Sequence, residues 1–366
     1  MPLPEKPESV LLINDREIEE ATPLSLWRKV NQAAILDFEI PRRTFLSLRD
    51  IEGEFRQGSI VQLFYGLGTG QQRIFYGYLP SIASDRNLSE TDTTIRLTAT
   101  DFIGQLEDRT IELGTSASSF LVPEGKEIGG LIADIVQATI DSQFAAPLFS
   151  IQGIQGTSPV QIVSTTDVKI GVDTAKNFID YYTGLAFDDT EYPDAPLLYE
   201  YNQEDQYFRW GKQTALDATP AMRLTIGKDA ILSGSIQRQP VYSDAYITGS
   251  GTNRWTQSDR DTSRRWGGRR FWIRDSVSTT ELSDAYDKGV RLVELYKNER
   301  RTFMLVISRD PFILHPGDIL AIDAAEAQGL RSESYRVSEV KMALSPVLRT
   351  TVTCGDPARL LTDFLP

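Results

Sequence analysis

The chain has 366 residues, 40% of them hydrophobic, with 38 Lys and Arg against 51 Asp and Glu for a formal net charge of -13. That length and apolar content can fill two or three cores, while the acidic balance excludes a general affinity for nucleic acid through phosphate neutralisation. A single cysteine excludes an intrachain disulfide, and no run approaches the roughly 20 apolar residues of a membrane helix.

The opening Met1-Pro2-Leu3-Pro4-Glu5 has neither the basic nor the apolar region of a signal peptide, so export by that route is not expected. Residues 1–115 read as an antiparallel β-domain, with short apolar runs divided by Gly, Pro and Asn-rich turns. Gly66-Leu67-Gly68-Thr69-Gly70 joins two of these runs. A phosphate cradle would have to open a helix, and this cluster leads into the strand Arg73 to Leu79, so a flexible hairpin is the better reading.

Residues 116–235 change character and read as an α+β module. Leu131, Ile132, Ile135, Val136 and Ile140 recur at helical spacing between Gly129 and Phe144. A second helix is expected to start at an Asp173 cap and to bury Phe178, Ile179, Tyr182 and Leu185. Strands are predicted at Leu197 to Tyr201, Tyr207 to Trp210, Met222 to Ile226 and Tyr242 to Gly249.

Residues 236–366 read as a second β-domain carrying an insertion over about 254–300. The insertion opens with Arg254, Arg260, Arg264, Arg265, Arg269, Arg270 and Arg274 interleaved with Trp255, Trp266, Phe271 and Trp272, opposed only by Asp259 and Asp261. In an acidic protein this is a local inversion of sign. Arg and Trp dominate interface hot spots, so Trp255, Arg264, Arg265, Trp266, Arg269, Arg270 and Trp272 are expected in or beside a protein interface. A solvated β-hairpin whose arginines pair with surplus carboxylates, or a platform for single-stranded nucleic acid or glycan, are the alternatives. Ser278-Thr279-Thr280-Glu281 then forms a capping box for a helix that buries Leu282, Ala285, Tyr286, Gly289, Leu292, Val293 and Tyr296.

The two ends of the chain repeat one pattern. Gly58-Ser59-Ile60-Val61-Gln62-Leu63, Ile74 to Leu79 and Ile95 to Asp101 at the front match Gly317-Asp318-Ile319-Leu320-Ala321-Ile322, Tyr335 to Val340 and Thr351 to Asp356 at the back. Each copy enters on a Gly turn, runs two alternating strands and closes on a Thr-rich strand ending in Asp. The expected fold is mainly β, a β-rich α+β chain with two similar antiparallel β-barrels around the α+β module. A chain with two like domains can present twice as many like surfaces as it has subunits.

Reactive chemistry is sparse. The one histidine, His315, lies in a His-Pro-Gly turn, and the one cysteine, Cys354, occupies a strand position where a small buried hydrophobe is expected. Two such residues cannot build a structural zinc site, and any nucleophilic triad would have to share one imidazole. Asp188, Asp189, Glu191 and Asp194 form the densest acidic cluster, but it lacks calcium-loop spacing, and Pro193 and Pro196 mark an exposed connector. No Walker motif, dinucleotide fingerprint or Gly-x-Ser-x-Gly elbow is present. No catalytic residue, metal or cofactor is therefore expected.

Thr302-Phe303-Met304-Leu305 after a helix ending near Tyr296, then Pro311, His315-Pro316-Gly317-Asp318-Ile319 and Tyr335-Arg336-Val337-Ser338-Glu339-Val340, resemble the tail hub proteins of bacteriophages and related contractile injection machines. Gly58-Ser59-Ile60-Val61 with Phe75-Tyr76-Gly77-Tyr78 is similar to the first barrel of that family. The resemblance implies a homotrimer whose paired barrels make a pseudo-sixfold ring, a symmetry adapter between a hexameric tail tube or tube-initiator protein and a trimeric spike protein. It implies other baseplate proteins as neighbours, DNA only as passing cargo, and a place in the virion tail, assembled in the bacterial host cytoplasm. A host-surface glycan-binding or glycan-cleaving tail protein is the alternative, and a cytoplasmic β-rich enzyme is a third class.

Overall fold

The computed structural model describes residues 8–48, 56–66, 71–81, 93–108, 119–122, 127–141, 150–154, 166–169, 174–185, 197–201, 203, 206–212, 220–239, 241–249, 254–265, 267, 272–276, 285–286, 289–290, 292–293, 296–297, 300–307, 314–324, 330, 332–345 and 348–355. Its first third holds β1 (Glu8–Ile13), β2 (Arg16–Glu17), β3 (Thr22–Lys29), β4 (Ile35–Pro41), α1 (Arg42–Leu46), β5 (Ile60–Gly66), β6 (Gln72–Tyr78), β7 (Thr94–Thr100) and α2 (Ile103–Asp108). The middle holds β8 (Ser119–Val122), α3 (Ile128–Asp141), β9 (Ser150–Ile154), β10 (Thr166–Lys169), α4 (Ala175–Leu185), β11 (Leu197–Tyr201) and β12 (Tyr207–Lys212). The remainder holds β13 (Met222–Thr225), β14 (Ala230–Gln239), β15 (Asp244–Thr248), β16 (Arg254–Ser258), α5 (Arg260–Arg265), β17 (Trp272–Ser276), β18 (Arg300–Ile307), β19 (Ile319–Asp323), β20 (Glu333–Ala343) and β21 (Arg349–Gly355). No helix among the described residues is long and apolar enough to cross a membrane.

Period-2 alternation writes the main core. In β4 the side chains of Leu36, Phe38 and Ile40 are buried while Asp37 and Glu39 turn away, and β7 repeats the pattern with Ile95, Leu97 and Ala99. These residues join Val61, Leu63, Phe303, Leu305, Val337, Val340 and Val352 in one continuous apolar cluster spanning both ends of the chain.

The repeat read in the sequence is present in the strand order. The N-terminal unit runs β3-β4-β7-β6-β5-β1 and the C-terminal unit β14-β18-β21-β20-β19-β13, so strands taken in the same chain order occupy the same places. The turns match atom for atom. Gly58 N–H donates to Leu79 O at 2.8 Å and Leu79 N–H to Ser59 O at 3.0 Å, while Gly317 N–H donates to Val337 O at 2.7 Å and Val337 N–H to Asp318 O at 2.8 Å. Ser59 Oγ accepts the Arg56 N–H and Asp318 Oδ2 accepts the His315 N–H, so the same side-chain cap closes each turn. Both glycines sit at positive φ, 87° and 100°, where a Cβ would be strained. The units differ at their last strand, since β1 pairs antiparallel with β5 while β13 pairs parallel with β19.

The expected closed barrels are a point of correction: among the described residues no sheet closes. Strand β20 instead serves both units. Its first part forms the hairpin with β19, from Glu333↔Ile322 to Arg336↔Ile319, and its second part runs on to pair antiparallel with β3, from Glu339↔Lys29 to Ala343↔Ser25. That joint fuses the two units into one 13-stranded sheet. Trp27 Nε1 adds a bond to Glu339 Oε1 at 2.6 Å across it.

The middle segment packs on the N-terminal unit. Leu131, Ile132, Ile135 and Val136 of α3 are buried as the spacing predicts, and they share a cluster with Phe178 and Ile179 of α4, Trp210, and Tyr78, Phe102 and Leu106 of the N-terminal unit. Helix α4 is capped by Thr174, whose Oγ1 accepts the Asn177 N–H at 3.1 Å; the expected cap Asp173 lies outside the described residues. Asn31, at φ 56°, holds the module down, accepting the Tyr199 N–H on Oδ1 at 3.0 Å and the Tyr199 hydroxyl on its carbonyl at 2.7 Å.

Candidate functional site

Between β14 and β18 the chain builds a separate three-stranded sheet, β16-β15-β17, in which β16 pairs antiparallel and β17 parallel with the central β15. The Arg/Trp segment is thus not a hairpin: β16 and β17 flank β15 and do not touch as partners. One face of this sheet, with Ala245, Ile247, Trp255 and Ile273, packs on helical residues Ala285, Leu292, Val293 and Tyr296. The capping box at 278–281 lies outside the described residues.

Trp255 belongs to that inner face. It is half-buried, meets Tyr286 edge-on with ring centroids 5.1 Å apart, and lies 3.1 Å from where a Cβ on Gly289 would stand. The opposite face carries Trp272, Arg254 and Arg274, all exposed, with Trp272 at 41% exposure. The register Tyr246↔Arg274 and Asp244↔Trp272 puts these side chains on one surface with Tyr246. Arg264 and Arg265 close α5 and are exposed, and Arg264 faces Asp261 at 3.5 Å in a solvent-exposed pair of the kind worth at most about 1 kcal/mol. Trp266, Arg269, Arg270 and Phe271 lie outside the described residues. The structure therefore divides the tryptophans, Trp255 supporting the sheet from within and Trp272 standing on its outer surface.

The seam between the two β units holds the electrostatics that sequence reasoning missed. Arg28 on β3 is 5% exposed and donates from Nη2 to the Ile74 carbonyl, while its Nε and Nη1 have no hydrogen-bond partner among the described residues. Burial lowers its pKa to about 10, against the raising influence of Glu200, Asp101 and Asp318. Burial raises Asp101 to about 7, although its oxygens accept the Ala34 and Ile103 N–H groups, and raises Asp318 to about 6. His315 is pushed down to about 3 by burial and by the charges of Arg28 and Arg209. The one available signal was a charged residue at a position of β3 where alternation calls for an apolar one.

These shifts set a pH dependence. A carboxyl whose folded pKa is raised contributes stability that is complete below its unfolded value near 4 and is lost as pH rises through the folded value, here about 6 and about 7. His315 acts oppositely: its contribution is present above about 6.5 and is lost as pH falls toward about 3. Near pH 5 the folded chain holds two extra carboxyl protons against one missing histidine proton, so stability should rise on acidification. Urea midpoints should therefore be higher at pH 5 than at pH 7.5, and His315→Gln should steepen the rise. A flat profile in both proteins would contradict the burial of these carboxyls.

Cys354 is buried opposite Phe303 and Val337, and burial holds its thiol well above the ordinary range. No group of three His, Cys, Asp or Glu side chains capable of holding a metal occurs among the described residues. The acidic stretch Asp188 to Asp194 and Leu67 to Gly70 lie outside them, and the segment after that glycine cluster is the strand β6.

Comparison with known proteins places the fold. No protein-family model matches the sequence, and no curated protein matches it. Solved structures do. The 43 kDa tail protein of prophage MuSo2 from Shewanella oneidensis superposes with a TM-score of 0.63 at 14% identity, over 96% of this chain and 99% of that one. The tail protein from Neisseria meningitidis MC58 gives 0.63 at 13% identity, over 99% and 100%. An E. coli component of the type VI secretion system, c3393, described as structurally similar to the T4 bacteriophage tail proteins gp27 and gp5, gives 0.50 at 9% identity over 94% and 76%. The chain has the fold of phage tail proteins along almost its whole length.

Proposed function

We propose that this chain is a structural hub of a phage or phage-like tail, acting as a homotrimer and without catalysis of its own. The observation that carries the reading is the internal repeat: two units of equal strand order, with matched turns, joined edge to edge in one sheet. Three such chains offer six related surfaces to a hexameric tail tube or tube-initiator protein while keeping threefold symmetry for a trimeric spike. The tail-protein fold supports a place in the virion tail. There the chain would sit among other baseplate proteins, with DNA as passing cargo and assembly in the host cytoplasm. A net charge of -13 suits a conduit that DNA must not adhere to.

Within that assembly the Arg/Trp unit is a docking surface for an acidic neighbour, either another hub subunit or an adjoining tail protein. Its exposed face of Trp272, Arg254 and Arg274, with Arg264 and Arg265 nearby, is the opposite sign to the rest of the chain. Light scattering on the full chain should give three times the 41.0 kDa chain mass. Replacing Arg264, Arg265, Arg269 and Arg270 together by Ser should impair particle assembly and leave the chain folded, because desolvated Arg anchors are commonly worth about 2 kcal/mol or more. A monomeric chain that cleaves polysaccharide would favour the glycan-directed alternative instead.

A further inference from the structure

The sheet β16-β15-β17 packs one face on its own helical residues and turns the other to solvent. Ala245, Ile247, Trp255 and Ile273 lie inside, so alternation sends Tyr246, Arg254, Arg274 and Trp272 to the outer surface. Trp272 is 41% exposed, both arginines are exposed, and Tyr246 is half-buried. The registers fix their pattern. Arg274 stands opposite Tyr246 and Arg254 opposite Thr248, with β15 between them, so the two arginines are two strand spacings apart sideways and two residues apart along the sheet. At about 4.8 Å between strands and about 3.3 Å per residue, their Cα atoms are about 12 Å apart. Trp272 lies two residues beyond Arg274 on β17, opposite Asp244.

The acids of this unit serve its own fold. Asp244 is 1% exposed, and its carboxylate accepts the hydroxyls of Ser243 and Ser258, each at 2.6 Å. Asp259 accepts the Asp261 and Thr262 N–H groups at the start of α5, and Asp261 faces Arg264. Alternation places Asp275 with Ile273 on the inner side of β17. The outer face therefore keeps a positive sign in a chain of net charge -13.

We infer that this face takes one extended acidic polypeptide segment of a neighbouring protein, with carboxylates on Arg254 and Arg274 and a proline or apolar side chain on Trp272. The inference deepens the docking surface of the proposed function and rests on that reading. Size selects an extended segment. The sheet measures about 10 Å between its outer strands, which gives room for a single chain. Side chains at i and i+4 of such a chain point to one side about 13 Å apart, close to the separation of the arginines. Charge selects polypeptide over nucleic acid. A polyphosphate carries its charge past the platform onto the acidic remainder of the chain, whereas a peptide can place carboxylates only where the arginines stand.

The test is fluorescence anisotropy on the full chain with three labelled probes. The first is a peptide with glutamates at i and i+4 and a proline two residues beyond, the second has the same composition with its glutamates adjacent, and the third is a single-stranded thymidine oligonucleotide. The spaced peptide should bind about threefold or more tighter than either of the others. Arg254→Ser and Arg274→Ser should each weaken it about threefold or more, and Trp272→Ala about tenfold or more, with urea midpoints unchanged. Arg349→Ser, at an exposed arginine of β21 on the 13-stranded sheet, should leave binding as it is. Equal binding of the two peptides, or an equal loss with Arg349→Ser, would reduce the contact to unspecific charge and overturn the inference. Tighter binding of the oligonucleotide would assign the face to nucleic acid and overturn it too. If no peptide binds while replacing Arg264, Arg265, Arg269 and Arg270 still impairs assembly, the docking surface stands and the extended segment falls; if assembly is also unchanged, both fall.

Discussion

Arg28→Ala is expected to lower the stability of the chain by about 3–5 kcal/mol, because it opens a cavity in the seam between the two β units and leaves buried carboxyls without their cation. Arg28 stands on β3 where β20 crosses from its own hairpin, and its Nη2 ties β3 to the Ile74 carbonyl of β6. Glu200, Asp101 and Asp318 all feel its charge, so one side chain electrostatically links the N-terminal unit, the middle segment and the C-terminal unit. Arg28→Met separates the two contributions. Methionine fills most of the volume but removes the same cation, so its cost reports the loss of charge, and it should cost less than alanine by the cavity contribution, about 2 kcal/mol or more. Denaturant midpoints of the two variants decide the matter. If alanine costs no more than methionine, the seam does not depend on the volume of this residue.

Gly77→Ala should be strongly destabilising. A Cβ at Gly77 would stand 2.2 Å from the Thr100 carbonyl oxygen, 2.8 Å from its carbon and 2.7 Å from Phe75 Cζ. The Thr100 atoms are backbone, and β6 meets β7 at Tyr78↔Thr100, so relief requires the strands to part. Overpacking usually costs about 1–3 kcal/mol, and with no flexible side chain to yield at Thr100 about 3 kcal/mol or more is expected. Gly130→Ala is the control. Gly130 lies in α3 with nothing within 4 Å of an added Cβ, so alanine there should raise stability by about 0.4–1 kcal/mol. Thermal melts of the two proteins should move in opposite directions, and a Gly77→Ala protein that melts like the unchanged chain would refute the close approach of β6 to β7.

The sequence by itself determined the elements and their repetition. Alternation in Ile95 to Thr100 and Ile319 to Asp323, helical spacing in Leu131 to Val136, and the two Gly turns are all local patterns, and local pattern reports which face of a strand or helix is apolar. It was enough to pair Gly58 with Gly317 before any hydrogen bond was known. It was not enough to find β14, whose run Ala230 to Gln239 shows no sustained alternation of apolar and polar residues. Nor could it divide the tryptophans, since whether Trp255 or Trp272 faces outward depends on which strands flank β15. The joint itself belongs to tertiary structure alone. Strands β3 and β20 are more than three hundred residues apart along the chain at Trp27 and Glu339, and backbone hydrogen bonds between them carry no side-chain signature. That pairing joined the two units in one sheet and buried Arg28 at the seam, because a strand edge is satisfied only by whatever chain the fold brings beside it.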